Sequence, residues 1–263
     1  MDAARSFAQA GAQAEWDSRA PAWTHAVDDW GPWIVAAIGV ALIVRALWHH
    51  RRYRATTVFG RIGQVAVHDA LVAAEARTVG EIVPVVLERS DRHPSADWLS
   101  AVATMMVGTA LLQDQLPWTR PHWLLGCQIA MGCVGFALSC TLPAWKRMFV
   151  SEARATEMAN EQALQEFHRL RLHETTGRTG VLLFVSLLER RVVVLADVGI
   201  HAKAGSSTWD ATREAVLAGA RCGSVDAGLV EGIRLAGAQL ETHFPWTSGD
   251  RNEIPDRVVV RHE

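Results

Sequence analysis

The sequence lacks the short motifs by which many enzymes and metal proteins are recognised. Its four cysteines include no Cys-x-x-Cys pair and no cysteine–histidine spacing typical of zinc sites. It also contains no glycine-rich phosphate loop, no Gly-x-Ser-x-Gly elbow and no His-Glu-x-x-His helix. Neither charge dominates, since 26 Lys and Arg residues stand against 28 Asp and Glu residues, so the chain has no basic field to attract nucleic acid. We therefore expect no nucleic-acid partner and no disulfide framework.

Tyrosine is nearly absent, whereas tryptophan is abundant, with one Tyr against eleven Trp. Most of the tryptophans stand at the ends of long apolar runs, where side chains that anchor a helix in the membrane interface are enriched. Three of these runs are long enough to cross the ~30 Å hydrocarbon core of a bilayer. We predict transmembrane helices at 30–48, 98–118 and 123–145. A buried core helix is the alternative for the first run, and the polar residues 1–29 before it are predicted to be a flexible tail.

Basic residues give these segments an orientation. The first run is followed by Arg51, Arg52, Arg54 and Arg61, and the third by Lys146, Arg147 and Arg154, whereas the connector between the second and third runs contains only Arg120. Basic loops are retained in the cytoplasm. We therefore expect a multi-pass protein of the cell inner (plasma) membrane, with its N-terminus outside and with residues 51–97 and 146–263 in the cytoplasm. Membrane lipid is then one of its partners.

The most informative soluble stretch is a pair of apolar, β-branched runs, Val181 to Leu187 and Val192 to Ala196, separated by a short polar break. Such runs with a short connection are typical of an antiparallel hairpin. Neither run alternates apolar with polar residues, so both faces of the predicted strands should be covered by helices. Helical periodicity is present at 152–173, 208–221 and 229–244.

The soluble stretch before the second membrane run, residues 59–92, predicts one helix and one strand. Val65, Val67, Leu71 and Val72 indicate an amphipathic helix that ends near Thr78, and the run 81–87 indicates a strand. Pro84 cannot donate to a ladder, which places this strand at a sheet edge or at a bulge. One helix and one strand cannot bury their own apolar faces. We therefore predict that 59–92 and 146–263, the latter including a C-terminal tail, form one α/β domain into which the transmembrane hairpin is inserted.

Both soluble segments resemble the TPM-domain family, which includes a plant thylakoid-lumen phosphatase, a photosystem II repair protein and a nematode acetylcholine-receptor modulator. The resemblance lies in the runs 70–91 and 176–200, and it rests on the residues Glu75, Thr78, Gly80, Glu81, Gly180, Arg191, Gly199, Gly228 and Gly232. It implies an α/β/α sandwich with a small mixed sheet, as in bacterial membrane proteins in which a transmembrane hairpin splits the TPM domain.

The candidate site residues lie where the second hairpin strand ends. Asp197, His201, Lys203 and Asp210 could form a divalent-metal site or a phosphate pocket, since strand ends are favoured positions for sites in α/β folds. The alternative is structural: Asp197 ends the strand, His201 lies on the surface, and Asp210 sits in the first turn of a helix. The resemblance implies an acidic, cation-binding loop after Gly199, but here that loop carries His201 and Lys203 instead.

Three functions remain open on these residues. A scaffold or assembly module that binds other membrane proteins is expected first, because the domain has a clear core and no convergent catalytic set. The alternative is a membrane-anchored, metal-dependent phosphatase-like hydrolase, which only the plant relative implies. Transport has little support from three spans with one marginal Asp114.

Overall fold

The computed structural model describes residues 61–114, 116, 121–204, 206–248 and 253–261, together with Ala41. The predicted tail 1–29 lies outside the described residues, as does the predicted span 30–48 except for Ala41. Two compact units are distinguished. One holds Ala41 and the described residues between Asp97 and Thr141, and the other combines the described residues from Arg61 to Ala96 with those from Leu142 onwards.

The described residues form eight helices and four short strands. The helices are α1 (Arg61–Glu75), α2 (Pro94–Leu111), α3 (Pro121–Thr141), α4 (Pro143–Arg147), α5 (Glu152–Arg169), α6 (Val198–His201), α7 (Asp210–Arg221) and α8 (Val225–His243). The strands are β1 (Glu81–Leu87), β2 (Gly180–Ser186), β3 (Arg191–Ala196) and β4 (Val259–Arg261). Two 3₁₀ turns, Leu172–Glu174 and Ser206–Trp209, precede β2 and α7.

The sheet is mixed, with the strand order β3-β2-β1-β4. The predicted hairpin is confirmed: β2 and β3 are antiparallel, and Phe184 lies opposite Val193. Strand β1 has the predicted bounds and runs parallel to β2, from which it is separated along the chain by the four helices α2 to α5. Strand β4, which the sequence did not predict, runs parallel to β1 on its other side.

The prediction that Pro84 places β1 at an edge is wrong, because β1 has a neighbour on each side. The amide of Glu81 donates to Thr179 next to β2, whereas the amide of Ile82 points the other way. Alternate residues of a strand face opposite neighbours, so Pro84 faces the β4 side. There β4 begins only opposite Val85, so the missing N–H of Pro84 falls beyond the ladder.

Helices cover both faces of the sheet, as the unbroken apolar runs predicted. On one face, Ile82, Val86 and Leu183 belong to a core shared with α1, α7 and α8. On the other face, Val83 and Phe184 pack against α5. The structure is therefore mixed α/β, and the sheet edges are the positions where strand backbone can meet another molecule.

The helix bounds depart from the sequence predictions in several places. Helix α1 ends at Glu75, and its buried side is formed by Val67, Leu71 and Ala74. Val65 and Val72, predicted on the apolar face, are 58% and 44% exposed. Helix α5 ends at Arg169 before the 3₁₀ turn, and α8 begins at Val225, which is earlier than predicted. Gly228 in its first turn packs closely against α7.

The unit between Asp97 and Thr141 is a pair of packed helices. A Cβ atom on Gly135 of α3 would meet the Ser100 carbonyl oxygen of α2 at 2.6 Å, so only glycine allows this approach. A Cβ atom on Gly126 of α3 would meet no described atom within 4 Å. Within the described residues, one segment, Trp123–Thr141 of α3, is long and apolar enough to cross a membrane, with a mean hydropathy of 1.6. Helix α2 ends at Leu111, before the predicted end of the second span, and does not meet that criterion.

Candidate interaction site at the sheet edge

The residues predicted as a metal or phosphate site have separate roles in the structure. Asp197 is buried, and its Oδ1 accepts from the Val198 amide at 2.7 Å, which caps the short helix α6. Its Oδ2 is buried without a hydrogen-bond partner among the described residues. His201 and Lys203 are exposed, and the Lys203 ammonium lies 4.4 Å above the centre of the Phe244 ring. Asp197 is thus buried as a helix cap, whereas His201 and Lys203 lie on the surface.

Asp210, the fourth predicted residue, lies in the first turn of α7 and pairs with Arg213 at 2.9 Å. A carboxylate in that position interacts favourably with the positive end of the helix dipole. Across the described ranges, no three His, Cys, Asp or Glu side chains come together as a possible metal site. Asp197 and Asp210 thus occupy the local positions that the structural alternative describes, and a metal or phosphate site at these residues stays a prediction.

A concave surface lies along β3, the strand at one edge of the sheet. The Asp197 amide donates to the Gly180 carbonyl directly opposite. Hydrogen-bonded and non-bonded pairs alternate in an antiparallel ladder, so Arg191, Val193 and Leu195 face β2. The N–H and C=O groups of the intervening residues Val192, Val194 and Ala196 therefore point outward, where no described strand pairs with them.

Two helices turn this edge into a groove of about 640 Å³, which we call the β3 groove. Thr156, Ala159 and Asn160 of α5 form one wall, and Arg213, Leu217 and Arg221 of α7 form the other. The outward-facing backbone of β3 is the floor. An unpaired strand lying in a groove of this size has the shape required to receive an extended segment of another chain.

Arginine supplies all the charged side chains that line the β3 groove, and one of them, Arg191, pairs with Glu152 of α5. Arg190, Arg191, Arg213 and Arg221 contribute to the groove, and no acidic residue is found among the described side chains that line it. The arginines on α7 pair with Asp210 and Glu214 outside the groove, at 2.9 and 2.8 Å. All four of these paired side chains are more than half exposed, and such surface pairs contribute only about 0–1 kcal/mol. The guanidinium groups are therefore available to another carboxylate at little cost.

A buried hydrogen-bond network fixes the turn from which β3 begins. The Glu189 carboxylate accepts from the Ser90 amide at 3.1 Å, from the Ser186 hydroxyl and from His93 Nε2 at 2.7 Å. Burial would raise the pKa of Glu189, but these hydrogen bonds outweigh burial and hold the pKa below its usual value. The ionised carboxylate thereby holds the β2–β3 turn, and with it Arg190 and Arg191, against the loop that follows β1.

His93 completes this network from the loop side. Its side chain is 2% exposed, and its Nδ1 lies 3.5 Å from Asp91 Oδ2. The backbone of His93 has a φ of 48°, an uncommon left-handed conformation for a residue other than glycine. Sequence reasoning missed the contribution of His93 and Glu189, because they are 96 positions apart and neither stands in a recognisable motif.

A second group of carboxylates lies at the opposite end of β1. Glu75 Oε1 accepts from the Ile82 amide at 3.0 Å, and Glu81 Oε1 accepts from the Glu253 amide at 2.9 Å. Burial, together with the nearby carboxylates of Asp256 and Glu81, raises the pKa of Glu75 to about 9. Glu75 is therefore protonated at neutral pH, where it helps the C-terminal segment to lie beside β1 without full charge repulsion.

No family model and no curated protein matches the chain. A solved structure that is similar to it is the NMR structure of the BA42 protein from the psychrophilic bacterium Bizionia argentinensis. The match has a TM-score of 0.49 and 21% identity, and it covers 77% of this chain and 94% of that one. A likeness at this level carries no conclusion about function, and membership of the TPM-domain family stays a prediction.

Proposed function

We propose that the chain is a membrane protein whose cytoplasmic α/β domain binds another protein and acts as a scaffold or assembly module. The observation that carries the proposal is the open backbone edge of β3 at the floor of an arginine-rich groove. In this proposal the domain combines 59–92 with 146–263 and has a TPM-like fold, which the mixed α/β structure of the described residues supports. Helices on both faces leave the sheet edge as the accessible part of the strand backbone.

The membrane part of the proposal is a hairpin of the predicted spans 98–118 and 123–145, preceded by the span 30–48. Its support is the apolar segment Trp123–Thr141 and the close packing of α3 against α2 at Gly135. Apolar side chains also remain exposed on both helices, namely those of Trp98, Leu99, Val102, Met106, Val107, Leu111, Leu125 and Ile129. Lipid would cover these side chains, whereas water would leave them unfavourably solvated. The charge bias around the spans assigns the N-terminus to the outside of the inner membrane.

Site-specific photo-crosslinking of the full chain in bacterial membranes tests the proposal. A photoreactive amino acid is placed at Asn160 or at Arg213, on the two walls of the groove, and at exposed Gln239 of α8 as the matched control. We expect a protein adduct of defined mass from the two groove positions and none from the control. The same adduct from all three positions, or none from any of them, would contradict the proposal.

The alternative function, a metal-dependent phosphatase-like hydrolase, predicts a different result. The purified full chain would then hydrolyse a phosphomonoester only when Mg²⁺, Mn²⁺ or Ca²⁺ is added, and Asp197→Ala would abolish this activity. Metal-dependent turnover without a groove adduct would replace the scaffold proposal with the hydrolase.

A further inference from the structure

We propose that the β3 groove takes an extended acidic segment of the partner, which adds to the sheet as a further strand beside β3. The side chains of this segment that face α7 would be those of every second residue, in the order acidic, apolar and acidic. This inference rests on the proposed function, since it names the chemical class of the partner that the same groove binds.

The backbone of β3 supplies the first part of the recognition. Val192, Val194 and Ala196 present their N–H and C=O groups outward, and an extended peptide can satisfy these groups with a ladder of hydrogen bonds. The exposed strand is six residues long, which at ~3.3 Å per residue gives a ladder of about 20 Å. The β3 edge is therefore long enough to hold a short linear motif.

The α7 wall supplies the second part, which is the spacing. Arg213, Leu217 and Arg221 line the groove at intervals of four residues, and one such interval along a helix is about 6 Å. Side chains on one face of a strand recur every second residue, at about 6.6 Å. An acidic residue, an apolar residue two positions on and a second acidic residue two positions further therefore match the three wall side chains. This pattern is symmetric, so it fits either direction of the added strand.

The opposite wall sets a weaker preference. Thr156 and Asn160 are polar, and Ala159 between them is small and buried. Side chains of the added strand that face α5 would therefore be small or polar, such as Thr or Ser. Together, the two walls describe a segment that alternates small polar residues with the acidic and apolar residues that face α7.

Charge argues for an acidic peptide and against a second copy of this chain. Two β3 strands paired across a two-fold axis would bring two sets of four arginines to one interface. Like charges in contact cost free energy, whereas arginine and carboxylate form the charge-assisted, bidentate hydrogen bonds that the guanidinium favours. The arginines of the α7 wall and of the start of β3 thus favour a negatively charged occupant.

The test uses the purified full chain in detergent micelles and fluorescein-labelled heptapeptides, with binding followed by fluorescence anisotropy. The probe has the sequence Thr-Glu-Thr-Val-Thr-Glu-Thr. In one control peptide lysine replaces both glutamates, and in another the amides of alternate residues are N-methylated. We expect the parent probe to bind with an affinity that falls as salt is added, and each control to bind at least about tenfold more weakly.

A charge swap makes the test specific to the α7 wall. In the double variant Arg213→Glu with Arg221→Glu, the preference should invert, so that the lysine peptide binds better than the parent probe. Arg234→Glu, on the exposed surface of α8, is the matched control and should leave the affinity for the parent probe unchanged. Inversion of preference cannot result from general damage to the fold.

Other outcomes would overturn the inference. Equal binding of the parent and lysine peptides, no effect of N-methylation or no binding at millimolar concentration would each do so, as would a dimer that the double variant dissociates. If groove positions still form crosslinks in membranes while the acidic probe does not bind, the partner has a different chemistry and only this inference fails. If neither is observed, the proposed function fails with it.

Discussion

The two edges of the sheet are built differently. Strand β4 is three residues long and pairs only with the end of β1, and Arg261 within it donates to the buried carboxylate of Glu166 on α5. Strand β3 is twice as long, and no described strand lies beside its outer edge. Short, charged edges discourage pairing with other chains, whereas a long open edge invites it. The comparison indicates that the chain closes one edge with its own C-terminal segment and leaves the other for a partner.

Proline substitutions in β3 should give the largest effect, because they separate its inner side from its outer side. Val193→Pro removes an amide that donates to β2, and we expect a loss of about 3 kcal/mol or more in the free energy of unfolding. Val194→Pro removes an amide that points outward and should cost only about 1 kcal/mol, yet it should prevent peptide binding. Thermal unfolding of the full chain in detergent, together with probe binding, measures both effects.

The pair contains its own control, since the two valines are neighbours in one strand and receive the same residue. Equal destabilisation by the two substitutions would mean that the outward direction assigned to Val194 is wrong. Normal peptide binding by Val194→Pro would show that the outer backbone of β3 does not participate in recognition.

Loss of the Glu189 carboxylate should have the next largest effect, because this group anchors the turn that opens the β3 edge. Glu189→Ala leaves the Ser90 amide, the Ser186 hydroxyl and His93 without their acceptor, and we expect a loss of about 2–3 kcal/mol. Glu189→Gln keeps acceptor capacity and should lose less. Because hydrogen bonding lowers the pKa of Glu189, its stabilising effect should be complete above pH 4.5 and disappear as the pH falls through the lower, folded-state pKa.

Unfolding of the wild type and of Glu189→Gln across acidic pH tests this assignment. The stability difference between them should shrink as the pH decreases. A difference that stays constant down to acid pH would show that the ionised form of Glu189 does not hold the turn.

The strands at the two edges also differ in how well the sequence predicts them. Strands β1, β2 and β3 were predictable because each is an unbroken run of apolar, β-branched residues that both faces of the sheet bury. Strand β4 was not, because three residues carry too little periodicity and pair only through tertiary contact. Pro84 predicted an edge because proline has no N–H to donate to a ladder. The prediction was wrong because the short ladder between β1 and β4 begins at Val85, just after the proline.

The interaction site was harder to predict than the fold. A site was predicted at Asp197 and His201 because their side chains are of reactive types and lie close together in sequence. In the structure Asp197 caps a helix and His201 is exposed. The arginines of the β3 groove come from a turn and from a separate helix, and their common position depends on the strand order. Strand order follows from the parallel pairing of β1 with β2, which no local pattern encodes.

Removing the anchor of the closed edge should have a smaller effect. In Arg261→Ala the buried carboxylate of Glu166 loses one partner but keeps Arg169 at 3.4 Å, so we expect a loss of about 1–2 kcal/mol. Hydrogen exchange should accelerate at the β4 amides and remain unchanged in β3. Faster exchange in both strands would show that the two edges are not independent.

The last prediction is a dependence on pH and concerns Glu75, beside the part of β1 that β4 does not cover. Its pKa of about 9 in the folded protein exceeds the ordinary value of 4.5, so the folded state retains a proton that the unfolded chain releases between those two values. Stability should therefore fall as the pH rises through this window. Glu75→Gln keeps the acceptor for the Ile82 amide but removes this slope, so it should be more stable than the wild type at pH 8 and nearly as stable as the wild type near pH 4.5. The test is the free energy of unfolding of the wild type and of Glu75→Gln at both pH values. If the substitution changes it equally at both, the pKa of Glu75 is not raised and its carboxyl lies in water rather than beside Asp256 and Glu81.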